Sequence, residues 1–312
     1  MSYKRLLKLT ILSLIALILI GCDEELTVED VEIPEKSEAF FWEAEHNDKT
    51  IYFLGTLHAG HEDMYPMRDE IENAMDETEL LLSEYNESND EIRLEYNEIR
   101  DSYTQLPSGH QLSDYLSDEQ MDDVRKIESE LNVPFYLLNA MKPWRIQSLY
   151  ESYLLSVISD YTSEQSVEEY LYDRMLDNSE GMPLEDLETN LQNVRDRDMV
   201  YQVYMLEQVL NKPYSEAETH VETEITAWRA GEESLVDTSR EVSKDAESPG
   251  IEEIHIEEMF FNRDIQMAEK IDEVVHNHEE DTIMVAAGYL HFFGPDNILE
   301  LLEEKGYEIE RR

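Results

Sequence analysis

The chain is expected to fold as a mixed α/β protein, with a central β-sheet drawn from its N- and C-terminal parts and a large helical insertion between them. Three observations predict this. Short β-rich runs lie near both ends, "FFWEAE" and "TIYFLGTLH" over residues 40–58 and "TIMVAAGYLHFF" over 282–293. Between about Leu112 and Val236 only Gly181 and Gly231 interrupt long helical periodicities such as Leu116, Met121, Val124, Ile127 and Leu131. Neither end alone has enough strands for a sheet, so one domain over residues 39–312 fits better than two.

Taken in order, residues 1–22 read as an export signal. Lys4, Arg5 and Lys8 precede the apolar "LTILSLIALILI", and "LIGC" closes it. That ending resembles a bacterial lipobox, which implies lipid attachment at Cys22 and anchoring to the outer face of the cell membrane. An uncleaved membrane helix is the competing reading, although the run is short for the roughly 20 residues a span needs. Cys22 is the only cysteine, so the exported chain would have neither an internal disulfide nor a thiol nucleophile. Residues 23–38, "DEELTVEDVEIPEKSE", are acidic, poor in large apolar groups and broken by Pro34, as in a linker.

Next come two strands around the polar "HNDK", a hairpin whose second strand delivers His58. Ile71, Ala74 and Met75 share one face of a helix, and "ELLLSE" reads as a buried strand ending at Glu84. Pro134, Pro143, Pro183 and Pro213 divide the helical region. After a loop at "SKDAESPG", residues 251–278 read as one helix burying Met259, Phe260, Met267, Ile271 and Val274. The strand from Thr282 lacks charge and so belongs at the centre of its sheet. A helix stopped by Gly306 and a short strand complete the chain.

The balance of 24 basic and 74 acidic residues, −50 overall, argues against nucleic acid or anionic lipid heads as partners. Removal of residues 1–21 would leave 21 basic residues and make this −53. The carboxylates alternate with apolar positions, as on solvated helix faces, and fit a saline or alkaline exterior. Disorder is the rival reading, but 41 % hydrophobic residues with 18 Tyr, 8 Phe and 3 Trp can build a core. No G-x-S-x-G, H-E-x-x-H, Walker loop or G-x-G-x-x-G occurs.

One pattern occurs twice: an apolar run, Gly, two residues, His, at Gly55/His58 and at Gly288/His291. In adjacent strands, both histidines would stand where open α/β sheets place ligands. Two imidazoles there can share a divalent metal, and Glu84 is the carboxylate best placed to join them. Each residue alone is equally an ordinary strand-end group. His61 reads as a loop residue, and His276 and His278 as helix-end cations.

The segment "FWEAEHNDKTIYFLGTLHAGHEDMYPMRDEIENAMDETELLLSEYNES" resembles the opening of the TraB/GumN family, related to the TIKI proteins. "KPW" at 142–144, "PLEDLET" at 183–189, "NRDIQMAEKI" at 262–271 and "VAAGYLHFFGPDNILELLEEKGYEIER" follow in the family's order. The resemblance implies a metal-dependent hydrolase of peptide or ester bonds. His58, Glu84 and His291 would hold Mn²⁺, Co²⁺ or Zn²⁺, Arg263 would stabilise the oxyanion, and Glu188 would move a proton. Asp264 stands where relatives often carry Asn, which questions an amide role there. The partners would be an unassigned peptide or small-molecule substrate and, through Cys22, a membrane. The alternative is a non-catalytic surface lipoprotein binding haem or another ligand.

Overall fold

The computed structural model describes residues 26–85, 94, 98–175, 179–186, 196–238, 240–242 and 248–312. The export signal, Cys22 and Glu188 therefore lie outside the described residues.

Six strands make one sheet: β1 Phe40–His46, β2 Lys49–Thr56, β3 Leu80–Ser83, β4 Glu180–Pro183, β5 Thr282–Gly288 and β6 Glu308–Arg311. Their spatial order is β4-β3-β5-β2-β1-β6, with β4, β3, β5 and β2 parallel and β1 and β6 antiparallel to their neighbours. The charge-free β5 is central, as expected, and Ile283 to Ala287 are buried because both faces of a parallel sheet are covered. The β1–β2 connection is tighter than "HNDK" suggests. His46 pairs with Lys49, and only Asn47 and Asp48 turn, both at positive φ, as a two-residue hairpin requires.

Among the described residues the principal helices are α1 Asp69–Glu77, α2 Asp118–Lys126, α3 Pro143–Ile158, α4 Val167–Met175, α5 Met199–Asn211, α6 Tyr214–Ala230, α7 Pro249–Ile256, α8 Asn262–Asn277 and α9 Ile298–Glu304. Two helical turns, Glu128–Leu131 and Phe135–Leu138, lie between α2 and α3. The main core joins β1, β2, β3 and β5 to α1, α8 and α9, with Ile51, Phe53, Ile71, Ile271 and Leu302 fully enclosed. At about 1.5–3 kcal/mol for each such side chain, this cluster dominates the folding energy. A second core, including Leu112, Val124, Ile146 and Leu206, belongs to the helical region.

Three expectations change. The helical region contains strand β4, too short and too rich in Gly and Pro to betray a strand period; Pro183 ends it instead of dividing helices. The helix expected over 251–278 runs without a gap from Pro249 to Asn277 but carries a π-helical turn at Glu257–Phe261, where Met259 and Phe260 are half-buried and not enclosed as expected. The strand from Thr282 stops at Gly288, and Tyr289–Phe292 forms a 3₁₀ turn. Among the described residues no helix is long and apolar enough to cross a membrane.

Candidate active site

The two G-x-x-H strands do lie side by side, one residue out of step: Gly55 pairs with Ala287 and Thr56 with Gly288. The two glycines therefore meet different demands. A Cβ on Gly55 would come within 2.8 Å of the Tyr289 Cβ. A Cβ on Gly288 would sit 3.1 Å from Glu84 Oε1, 3.7 Å from His291 Cδ2 and 3.8 Å from His58 Nε2. Gly288 thus marks the point on which three predicted site residues converge, at the carboxyl ends of β2, β3 and β5, where such sheets bind ligands.

Each group is held by a second one. The loop after β2 is clipped to the chain before α4: Gly60 and Thr162 exchange both backbone hydrogen bonds, and Val167 N–H donates to the Leu57 carbonyl. This brings Glu168, on the first turn of α4, to His58, with Oε1 3.0 Å from Nδ1. The charge of Glu168 and the hydrogen bond to it push the imidazole upward, to about 9. Yet 74 % of the His58 side chain faces solvent, which screens the pair and keeps its contribution to stability small. Burial alone would raise the Glu168 carboxyl; the charge of His58, the hydrogen bond to it and the neighbouring Thr56 hydroxyl outweigh that and hold the carboxyl below its usual range.

Glu84 is buried just past β3, where its carboxylate accepts from Gly288 N–H at 2.6 Å and from Arg263 Nη2 at 2.6 Å. Burial alone would raise its pKa; His291, Arg263 and His58 outweigh that and hold it at about 2. The β3–β4 ladder continues beyond the strands, with Glu185 N–H donating to the Glu84 carbonyl. Glu185 then receives Arg263 at both oxygens, 2.9 and 2.7 Å, so one guanidinium ties two adjacent acids. His291, buried in the 3₁₀ turn after β5, places Nδ1 2.5 Å from Asp264 Oδ1. The other Asp264 oxygen accepts from Arg240 Nη1 at 2.7 Å, and both side chains of that pair are enclosed. Asp264 thus has a role that an amide would fill less well: it anchors a histidine and neutralises a buried cation.

A cavity of about 370 Å³ opens over this cluster, walled by Met259 and Phe260 of the π-helical segment and by Arg263 of α8. A groove of about 970 Å³ adjoins it, sharing Glu224, Phe260, Tyr289 and Leu290.

His58, Glu84, Arg263 and His291 are brought together as the sequence suggests, whereas Glu168, Glu185 and Arg240 escaped sequence reasoning, and Asp264 was marked only as a departure from the family's Asn. Glu185 lies in the same "PLEDLET" run that drew attention to Glu188. His61 is a loop residue, capping a 3₁₀ turn and bonded to Asp63. The ligand atoms of His58, Glu84 and His291 do not all come within 4.8 Å of one another.

A model of the TraB/PrgY/gumN family matches residues 40–311. The chain belongs to the TraB/PrgY/gumN family. An uncharacterized protein of Treponema pallidum (strain Nichols) is 21 % identical to it over 276 residues, covering 86 % of this chain and 81 % of that protein. No solved structure matches. All the clustered side chains of this TraB/PrgY/gumN chain fall inside the matched span, from His58 to His291.

Proposed function

We propose that this chain is a metal-dependent hydrolase cleaving a peptide or ester bond in the cavity above Gly288. The observation that carries the reading is the charge around that point. Four carboxylates, Glu84, Glu168, Glu185 and Asp264, face two guanidiniums, Arg240 and Arg263, leaving two negative charges beside two imidazoles. Protons on both imidazoles, or one divalent cation, would balance them.

The donors suit such a cation in kind. Glu168 and Asp264 each engage an Nδ1, so each ring offers Nε2, as metal-binding histidines do. His58, His291 and Glu84 would hold Mn²⁺, Co²⁺ or Zn²⁺, which when bound supplies an activated water and a Lewis acid. Arg263 keeps Glu84 ionised through Nη2; its Nη1, not used in the carboxylate bonds, is the donor for an oxyanion in the cavity. Glu168, paired with His58 and lining a pocket with it and Glu84, takes the proton-moving role that the resemblance suggested for Glu188. Met259 and Phe260 exclude water from one wall. Export and lipid attachment at Cys22 would place this chemistry outside the cell membrane, on a peptide or small-molecule substrate.

The test measures Mn²⁺, Co²⁺ and Zn²⁺ content and hydrolysis of peptide and ester panels by the chain and by its His58→Ala and His291→Ala variants. Each substitution should abolish metal-stimulated hydrolysis and remove one tightly held ion. Unchanged ion content and hydrolysis in both variants would sink the reading.

A further inference from the structure

A second constellation lies at the opposite end of the sheet. His46 ends β1, while Asp272 and His276 stand one turn apart on the last stretch of α8, and the three can offer one ligand atom each with all three atoms within 4.8 Å of one another. Among the described residues no other group of His, Cys, Asp and Glu meets that spacing. His46 pairs with Lys49 at the start of β2, whereas His58 follows its end at Thr56. At about 3.3 Å per residue the strand separates the two places by roughly 23 Å.

We propose that His46, Asp272 and His276 form a second metal site, for a borderline divalent cation of the Zn²⁺ class. Two imidazoles and one carboxylate select Zn²⁺, Ni²⁺ or Cu²⁺ over Mg²⁺ or Ca²⁺, which want more oxygen ligands, and a fourth position is left for water. The surrounding residues hold the ligands in place. His276 Nδ1 lies 2.8 Å from the Asp272 carbonyl oxygen and 3.4 Å from its Oδ1; donating to the carbonyl leaves the lone pair on Nε2, which a small rotation of this exposed ring would turn to the ion. Tyr307 donates its hydroxyl to Asp272 Oδ1 at 3.1 Å and stacks its ring on His46, centroids 3.9 Å apart and planes 8° from parallel. One tyrosine thereby orients two of the three ligands. Lys305 Nζ stands 3.4 Å from the other carboxylate oxygen; the four lone-pair positions of a carboxylate accommodate it beside a metal. The negative end of the α8 dipole also favours a cation there. A bound ion would fasten the β1–β2 turn, the end of α8 and the segment leading into β6, whose pairing with β1 is only four residues long.

This site is independent of the hydrolase reading, and one titration separates them. The full chain in non-ionic detergent is titrated with Zn²⁺, with Mg²⁺ in excess to occupy surface carboxylates. His276→Ala, on an exposed helix end, should lose one tight Zn²⁺ per chain, and His46→Ala the same. The His58→Ala/His291→Ala double variant should keep that ion. Tyr307→Phe should weaken it about 10-fold or more, as loss of an outer-layer partner does. Co²⁺ loading adds a check: visible d–d bands from this ion should disappear in His276→Ala and persist in the double variant. If His46→Ala and His276→Ala both bind as many Zn²⁺ ions as the parent chain, the site does not exist. Failure of the hydrolase reading alone would show as a double variant identical to the parent, with the His276→Ala loss still present.

Discussion

Asp264 and Glu168 play similar parts toward the two histidines but differ in what they would cost to remove. Asp264 is wholly enclosed and shared between His291 and the buried Arg240. Asp264→Asn leaves that guanidinium without a counter-charge, and loss of one partner of a buried pair costs about 3–5 kcal/mol. Denaturant unfolding should show a drop of that order; a change below about 1 kcal/mol would mean that Arg240 finds another partner. Glu168 faces an imidazole open to solvent, so Glu168→Gln should cost under about 1 kcal/mol. Its effect should depend on pH. The folded-state pKa of His58 is raised, to about 9, so its share of stability is full below about 6.5 and fades as pH climbs through about 9. Parent and Glu168→Gln melting temperatures, compared from pH 6 to 10, should differ at the acid end and converge at the alkaline end. A constant offset would show that the imidazole is not held by this acid.

At the scale of elements, the decisive contact is the clip between the loop after β2 and the start of α4. A Cβ on Gly60 would stand 1.9 Å from the Gln165 carbonyl oxygen, and backbone cannot swing aside as a side chain can. Gly60→Ala must therefore part the two segments. It forfeits two hydrogen bonds, about 1–3 kcal/mol together, and pulls Glu168 away from His58. Thermal unfolding should register the loss, with Gly250→Ala as control, since nothing lies within 4 Å of a Cβ there. Equal melting temperatures for both variants would dismiss the clip. The same scale shows what was legible in the sequence. Strands β1, β2, β3, β5 and β6 carry apolar runs or alternation, and the repeated G-x-x-H located His58 and His291 beside each other. Strand β4 carries no such period in "EGMP". Glu168, Glu185, Asp264 and Arg240 act through partners 24 to 110 positions away in the chain, and single-residue patterns hold no trace of such pairings.

For the whole molecule the governing quantity is charge. With 74 acidic and 24 basic residues, the folded chain gathers self-repulsion that unfolding relieves. The Arg263 and Arg240 pairs are enclosed and respond little to ions in solution, whereas exposed carboxylates on helices such as α2 are fully open to them. Salt should therefore weaken the unfavourable long-range part and spare the favourable buried part. The screening length shortens from about 30 Å at 0.01 M to about 3 Å at 1 M. If that removes a few kcal/mol of repulsion, at about 2–4 °C per kcal/mol for a chain near this size, the melting temperature should rise by roughly 5–10 °C. Differential scanning calorimetry across an NaCl series checks this. NaCl and KCl should act alike, because screening depends on ionic strength and not on the cation. A flat or falling curve would show that the acidic faces are already neutralised by bound ions or by their own exposed pairs.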